Sequence, residues 1–139
     1  LIGVAERLSQ TLRDSDTVAR LGGDEFVILA EELDSDAEAL KVAERVLHAL
    51  QEPFELGTIE VAMFASVGVS VSRDPHADPE DLLRQADVAM YRAKRAGGHR
   101  LELFDEELRR ELTARGEPAG SIRSHAPWHP IARLKRSRR

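Results

Sequence analysis

The stretch Arg20-Leu21-Gly22-Gly23-Asp24-Glu25-Phe26-Val27-Ile28-Leu29 constrains the fold more than any other part of the chain. Two β-prone apolar runs, 17–21 and 26–30, flank a pair of glycines and a pair of carboxylates. Glycine reaches the positive φ that tight turns need, so Gly22-Gly23 predicts a hairpin with Asp24 and Glu25 directly after its turn. The unbroken run Phe26-Val27-Ile28-Leu29 suits a strand buried on both faces. Carboxylates at a hairpin tip are suited to a hard cation such as Mg²⁺, which takes oxygen ligands and keeps waters or substrate phosphates. Without further signals the same residues make an ordinary turn.

The flanking elements follow from periodicity. Leu1, Val4, Ala5, Leu8 and Leu12 recur at helical spacing with no capping residue before them. This predicts a helix already under way at the first residue, hence an N-terminally truncated fragment. It should fade near Arg13, where Asp14-Ser15-Asp16 favours a turn. Asp34-Ser35-Asp36 offers an N-cap to an amphipathic helix through Ala37, Leu40, Ala43, Val46, Leu47 and Leu50. Residues 54–56 and 59–61 read as a small hairpin across Gly57-Thr58.

Residues 63–72 alternate, with Met63, Ala65, Val67, Val69 and Val71 on one face and mostly small residues on the other. That pattern predicts a strand with another element close against its small side. A second amphipathic helix opens at Asp78-Pro79-Glu80-Asp81 and buries Leu82, Leu83, Ala86, Ala89, Met90 and Ala93. Lys94-Arg95 and Gly97-Gly98 should end it. A strand over 99–104 and a charged helix over 105–115 complete the organised part.

The 139 residues fit one domain with a single core. Without cysteine, neither a disulfide framework nor a thiolate metal site can form. No apolar run approaches the ~20 residues of a membrane helix, and no signal peptide is visible. The expectation is a cytoplasmic segment, whether or not its parent is membrane-tethered. The net charge of −5 hides an acidic body and a basic end, because 9 of 20 basic but only 2 of 25 acidic residues fall in 109–139. An acidic body argues against a nucleic acid partner, since phosphate backbones demand clustered Lys and Arg. Residues 116–139 hold three of the six prolines and no apolar period, which reads as a disordered basic tail or as the product of a broken reading frame.

Gly22-Gly23-Asp24-Glu25-Phe26 spells the signature of the GGDEF family, the diguanylate cyclases. Residues 86–94 (ADVAMYRAK) resemble that family's last-helix motif, and residues 65–69 (ASVGV) its fifth-strand motif. The order helix–ββ–helix–ββ–helix–β also resembles the GGDEF domain, a relative of the adenylyl-cyclase and polymerase palm folds. The resemblance covers roughly 1–108, and 109–139 add the rest of a short helix and the tail. It implies an α+β fold, a palm-like sheet flanked by helices, here lacking its first strand and first helix.

By that resemblance Asp24 is the catalytic, metal-binding acid, and Glu25 is a second ligand or support for Mg²⁺ or Mn²⁺. Gly22 and Gly23 would let the backbone approach GTP, and Lys94 would bind phosphate. The family's arginine four residues beyond that lysine is replaced by Gly98. Arg95 or Arg100 could substitute only with altered reach. Arg13-Asp14-Ser15-Asp16 resembles the family's RxxD product site, with Arg13 and Asp16 as its anchors and Arg45 completing it. The implied activity joins two GTP into cyclic di-GMP with loss of pyrophosphate, in a homodimer that presents one GTP from each protomer. Because another metal-binding aspartate and the guanine-reading residues would precede Leu1, the fragment is expected to be inactive alone.

A second reading is a degenerate module that binds GTP or cyclic di-GMP and regulates a neighbour. Phe104-Asp105-Glu106-Glu107-Leu108 resembles the linker into a phosphodiesterase EAL domain, so an EAL neighbour, like an N-terminal sensory domain, is an implied partner. A third reading is a remnant cut at both ends.

Overall fold

Three caps decide where the longer helices begin. In the computed structural model, which describes residues 2–116, the chain order is α1 (Ile2–Thr11), β1 (Thr17–Gly22), β2 (Glu25–Leu29), α2 (Asp36–Gln51), β3 (Phe54–Leu56), β4 (Ile59–Val61), β5 (Val67–Val69), α3 (Pro79–Arg95), β6 (Leu101–Leu103) and α4 (Glu106–Ala114). Ser35 accepts from the Glu38 N–H, Asp78 from the Glu80 N–H and Asp105 from the Leu108 N–H. Each cap satisfies a donor that would otherwise lack a helical partner. At its other end α3 closes in a Schellman motif, the Gly98 N–H on Ala93 O at 2.9 Å and the Gly97 N–H on Lys94 O at 3.2 Å. The predicted basic tail from residue 117 onward lies outside the described residues.

Two hydrophobic clusters hold the elements together. In the first, Val4, Leu8 and Leu12 meet Val42, Val46, Leu50 and Phe54, so α1 lies on α2. Val18, Phe26 and Ile28 pack on that cluster from the β1–β2 hairpin. In the second, Val88 and Ala89 of α3 meet Phe104 and Leu108. Helix α3 crosses from β5 to its parallel partner β6 and packs on both.

Three expectations are corrected. The strand expected over 63–72 is only Val67–Val69, because β6 offers it a ladder of three residues. Residues 63–66 belong to no strand, and Phe64 is exposed and stacks on His99 with ring centroids 3.8 Å apart. Likewise β6 is shorter than the strand expected over 99–104. Finally, β2 is not buried on both faces: Phe26 and Ile28 face the first cluster, while Leu29 is 54% exposed. Among the described residues β2 pairs only with β1, and alternation assigns one face to the core and the other to solvent. The strands form three separate two-stranded sheets among the described residues.

The join between α1 and α2 depends on Arg7. Its guanidinium donates to the carbonyls of Ala49 (3.1 Å), Glu52 and Pro53 (2.8 Å) and lies 3.5 Å from the Phe54 ring centroid. A cation at a helix C-terminus satisfies free carbonyls and opposes the negative end of the macrodipole. Arg7→Ala is expected to cost about 2 kcal/mol, in the range for hydrogen bonds to a charged group. Urea unfolding measures this loss. Arg7→Lys should recover only part of it, because an ammonium lacks the planar fork that reaches three carbonyls.

Candidate active site and product cleft

The β1–β2 hairpin positions the two carboxylates. Its ladder runs Thr17↔Leu29, Val18↔Ile28, Ala19↔Val27 and Arg20↔Phe26, then shifts so that Gly22 pairs with Glu25. The shift moves the turn one residue from its expected place. Gly22 ends β1, and Gly23-Asp24 form the turn itself, with Gly23 at φ +51°. Asp24 is therefore exposed at the apex, while Glu25 begins β2 and is half-buried.

Arg20 locks this tip, a role that sequence reasoning missed. Its Nε and Nη2 donate to the Gly23 carbonyl at 2.9 and 2.6 Å. The arginine stood three residues before Gly23, but a side chain folding back on its own turn leaves no periodic signal. Around the tip, a Cβ on Gly22 or Gly23 would meet nothing within 4 Å. Gly22 has no positive φ either, so neither crowding nor conformation requires glycine there. The space is open to an incoming group.

The donor set at the tip consists of two carboxylates and no nitrogen or sulfur. That chemistry fits Mg²⁺, which commonly takes one or two carboxylates and completes its shell with waters and substrate phosphates. Among the described residues, no three His, Cys, Asp or Glu side chains group where they could hold an ion by themselves.

Lys94 is exposed in the last turn of α3, and no hydrogen bond or ion pair among the described residues joins it to Asp24 or Glu25. Position 98, where the resemblance expects an arginine, has φ +70° and is the second residue past the helix cap. L side chains rarely adopt that φ. Gly98 therefore belongs to the helix stop. Of its potential substitutes, Arg100 lies 3.9 Å from Glu102, whereas none of the ion pairs among the described residues engages Arg95.

Arg13 and Arg45 share a cleft. They line one cleft of ≈ 350 Å³ together with Leu33, Glu38, Lys41, Val42 and Glu44. Its volume lies within the range of small-molecule sites. Asp16 does not line it. Instead it closes the loop after α1: its Oδ2 accepts the Arg13 N–H at 2.9 Å, and its own N–H donates to Arg13 O at 3.1 Å. The Asp16 Oδ1 is enclosed without a hydrogen-bond partner. In this structure Asp16 sets the backbone from which Arg13 reaches the cleft.

Helices packed on short strands, with an acidic hairpin tip beside them, define a mixed α/β domain of the palm-like class. The family described as "Diguanylate cyclase, GGDEF domain" matches residues 1–100. The chain belongs to the GGDEF family. It is 42% identical over 116 residues to the diguanylate cyclase TpbB of Pseudomonas aeruginosa, covering 80% of this chain and 26% of that protein. It is 39% identical over 105 residues to the cyclic di-GMP phosphodiesterase NbdA of the same organism, covering 76% of this chain and 13% of that one. The solved GGDEF domain of TpbB superposes with a TM-score of 0.73 at 36% identity, covering 81% of this chain and 66% of that structure. The chain thus spans about a quarter or less of the length of these two curated relatives.

Proposed function

We propose that this chain is the signature-bearing part of a cytoplasmic diguanylate cyclase domain that condenses two GTP into cyclic di-GMP. The observation that carries the reading is the hairpin tip, where Asp24 is exposed beside Glu25, Arg20 fixes the turn and two glycines leave room for a nucleotide. Asp24 and Glu25 would hold Mg²⁺ or Mn²⁺, which when bound neutralises phosphate charge and acidifies a hydroxyl. Gly22 and Gly23 admit the triphosphate to the backbone, and Lys94 binds its phosphates as a point charge. The reaction runs twice, reciprocally: the 3′-oxygen of each GTP forms a bond to the α-phosphorus of the other, and each bond formed releases one pyrophosphate. The α–β bridging bond breaks, pyrophosphate carries the electron pair away, and the hydroxyl proton passes to solvent. Positioning and charge stabilisation supply most of such a rate enhancement.

Each protomer presents one GTP, so the working form is a homodimer. The chain alone is inactive on this reading, because the resemblance calls for a further metal-binding aspartate and guanine-reading residues besides Asp24 and Glu25. The test is product formation from GTP when residues 1–100 replace the matching stretch of the TpbB domain. A graft that folds and makes none overturns the cyclase reading.

Cyclic di-GMP returns to the Arg13–Arg45 cleft and inhibits. Two guanidinium groups on an apolar floor suit guanine edges and phosphate, while Asp16 holds the Arg13 loop. Calorimetry with cyclic di-GMP is expected to detect binding to the chain and to lose most of it in Arg13→Ala. Equal binding by both would remove Arg13 from the site. A second reading, a module that binds GTP or cyclic di-GMP and regulates a neighbouring phosphodiesterase of EAL type, draws on the likeness to NbdA.

A further inference from the structure

We infer that Lys41 is a third cation of the Arg13–Arg45 cleft and binds a phosphate of its ligand. The inference rests on the reading that the cleft takes cyclic di-GMP. Residues 38, 41, 42 and 45 lie on one face of α2, at spacings that stack side chains over successive turns. Along that face the cleft meets Glu38, Lys41, Val42 and Arg45, and Arg13 enters from the loop after α1.

The cations on this wall, Arg13, Lys41 and Arg45, have no ion-pair partner among the described residues. Lys41 and Arg45 are like charges four residues apart, a spacing that disfavours a helix unless an anion lies between them. The natural helical partner of Lys41, three residues earlier, is engaged elsewhere: the Glu38 carboxylate accepts from the Asp34 N–H at 2.9 Å while it too lines the cleft. Glu38 and Glu44 line the cleft and moderate its charge, and none of the ion pairs among the described residues joins them to the three cations. Leu33 and Val42 supply apolar surface between them.

Apolar surface beside three cations that no ion pair engages among the described residues suits an anion that also carries a flat apolar body. The arginines' planar forks match base edges, whereas the ammonium of Lys41, a compact charge on a flexible stem, matches a phosphate oxygen. Lys41 therefore takes a place in the cleft that the RxxD spacing does not indicate, and Asp16, which that spacing does indicate, works from behind the wall.

Calorimetry with cyclic di-GMP on the full 139-residue chain tests this, using the parent sequence, Lys41→Ala, Lys41→Arg and Arg13→Ala. The expected result is binding by the parent, weakening by about tenfold in Lys41→Ala and near-parental binding in Lys41→Arg, the size expected for one charge-assisted contact. Affinity in Lys41→Ala should also fall less steeply with added salt, since one screened charge is gone. Its melting temperature without ligand should match or exceed the parent's, because a like-charge pair has been removed. Parental affinity in Lys41→Ala alongside lost binding in Arg13→Ala overturns the role of Lys41 and leaves the cleft reading standing. A fall in melting temperature that accounts for the lost affinity assigns Lys41 to structure and also overturns it. Absence of binding by the parent removes the cleft reading itself.

Discussion

Gly68→Ala is expected to destabilise the chain by more than about 3 kcal/mol, at or beyond the upper end of typical overpacking costs. A Cβ at this position would lie 1.9 Å from Ala86 O and 2.4 Å from Met90 N. Both are backbone atoms of α3, so no change of rotamer relieves the overlap and the whole helix must lift off β5. Lifting it also strips Val88 and Ala89 from Phe104 and Leu108, the second cluster. Against a typical total stability of about 5–15 kcal/mol, that loss leaves a large unfolded fraction. Urea titration of the soluble protein by circular dichroism reads it directly. A midpoint equal to the parent's would show that α3 does not rest on Gly68.

The second large effect concerns turnover. Residues 1–100 grafted into the TpbB GGDEF domain are expected to support cyclic di-GMP synthesis, and Asp24→Asn in that graft should lower it by at least about a hundredfold. Loss of that order follows when a metal contributing several kcal/mol of charge stabilisation loses an anionic ligand. Asparagine keeps the size and removes the charge. Asp24 makes no hydrogen bond or ion pair among the described residues, and its side chain is exposed, so the fold should not change. Equal melting temperatures for the two grafts, measured beside product formation, separate chemistry from folding. A variant that turns over like its parent would remove Asp24 from the proposed metal site, and product from the isolated 139-residue chain would refute the expectation that it is inactive alone.

Local chemistry was legible wherever cause and effect lie within a few residues. Ser35 and Asp78 cap helices because their side chains reach N–H groups two or three positions on, whereas Asp105, expected as the first residue of its helix, proves to be its cap. The small face around Gly68 announced a close neighbour, and α3 is that neighbour. Strand length was less legible: 63–72 alternates throughout, yet a strand extends only as far as its partner, and β6 pairs with three residues. Arg7 reaches carbonyls 42 to 46 positions away, and no periodicity encodes that reach.

The candidate sites divide along the same line. Residues 22–26 and the motif through Lys94 identify the family without any coordinates, because a two-residue turn and a helical stripe are written contiguously. Sequence alone also set the hairpin and its acidic pair. Tertiary structure decided which residue occupies the apex, through the register shift that puts Gly23-Asp24 in the turn. Folding also brought Lys41 beside Arg13 and Arg45 and sent Asp16 to brace the loop behind them. Hairpins and caps are short-range and follow from φ preferences and hydrogen bonds, whereas a cleft's membership depends on how α1 and α2 pack, which no short segment specifies.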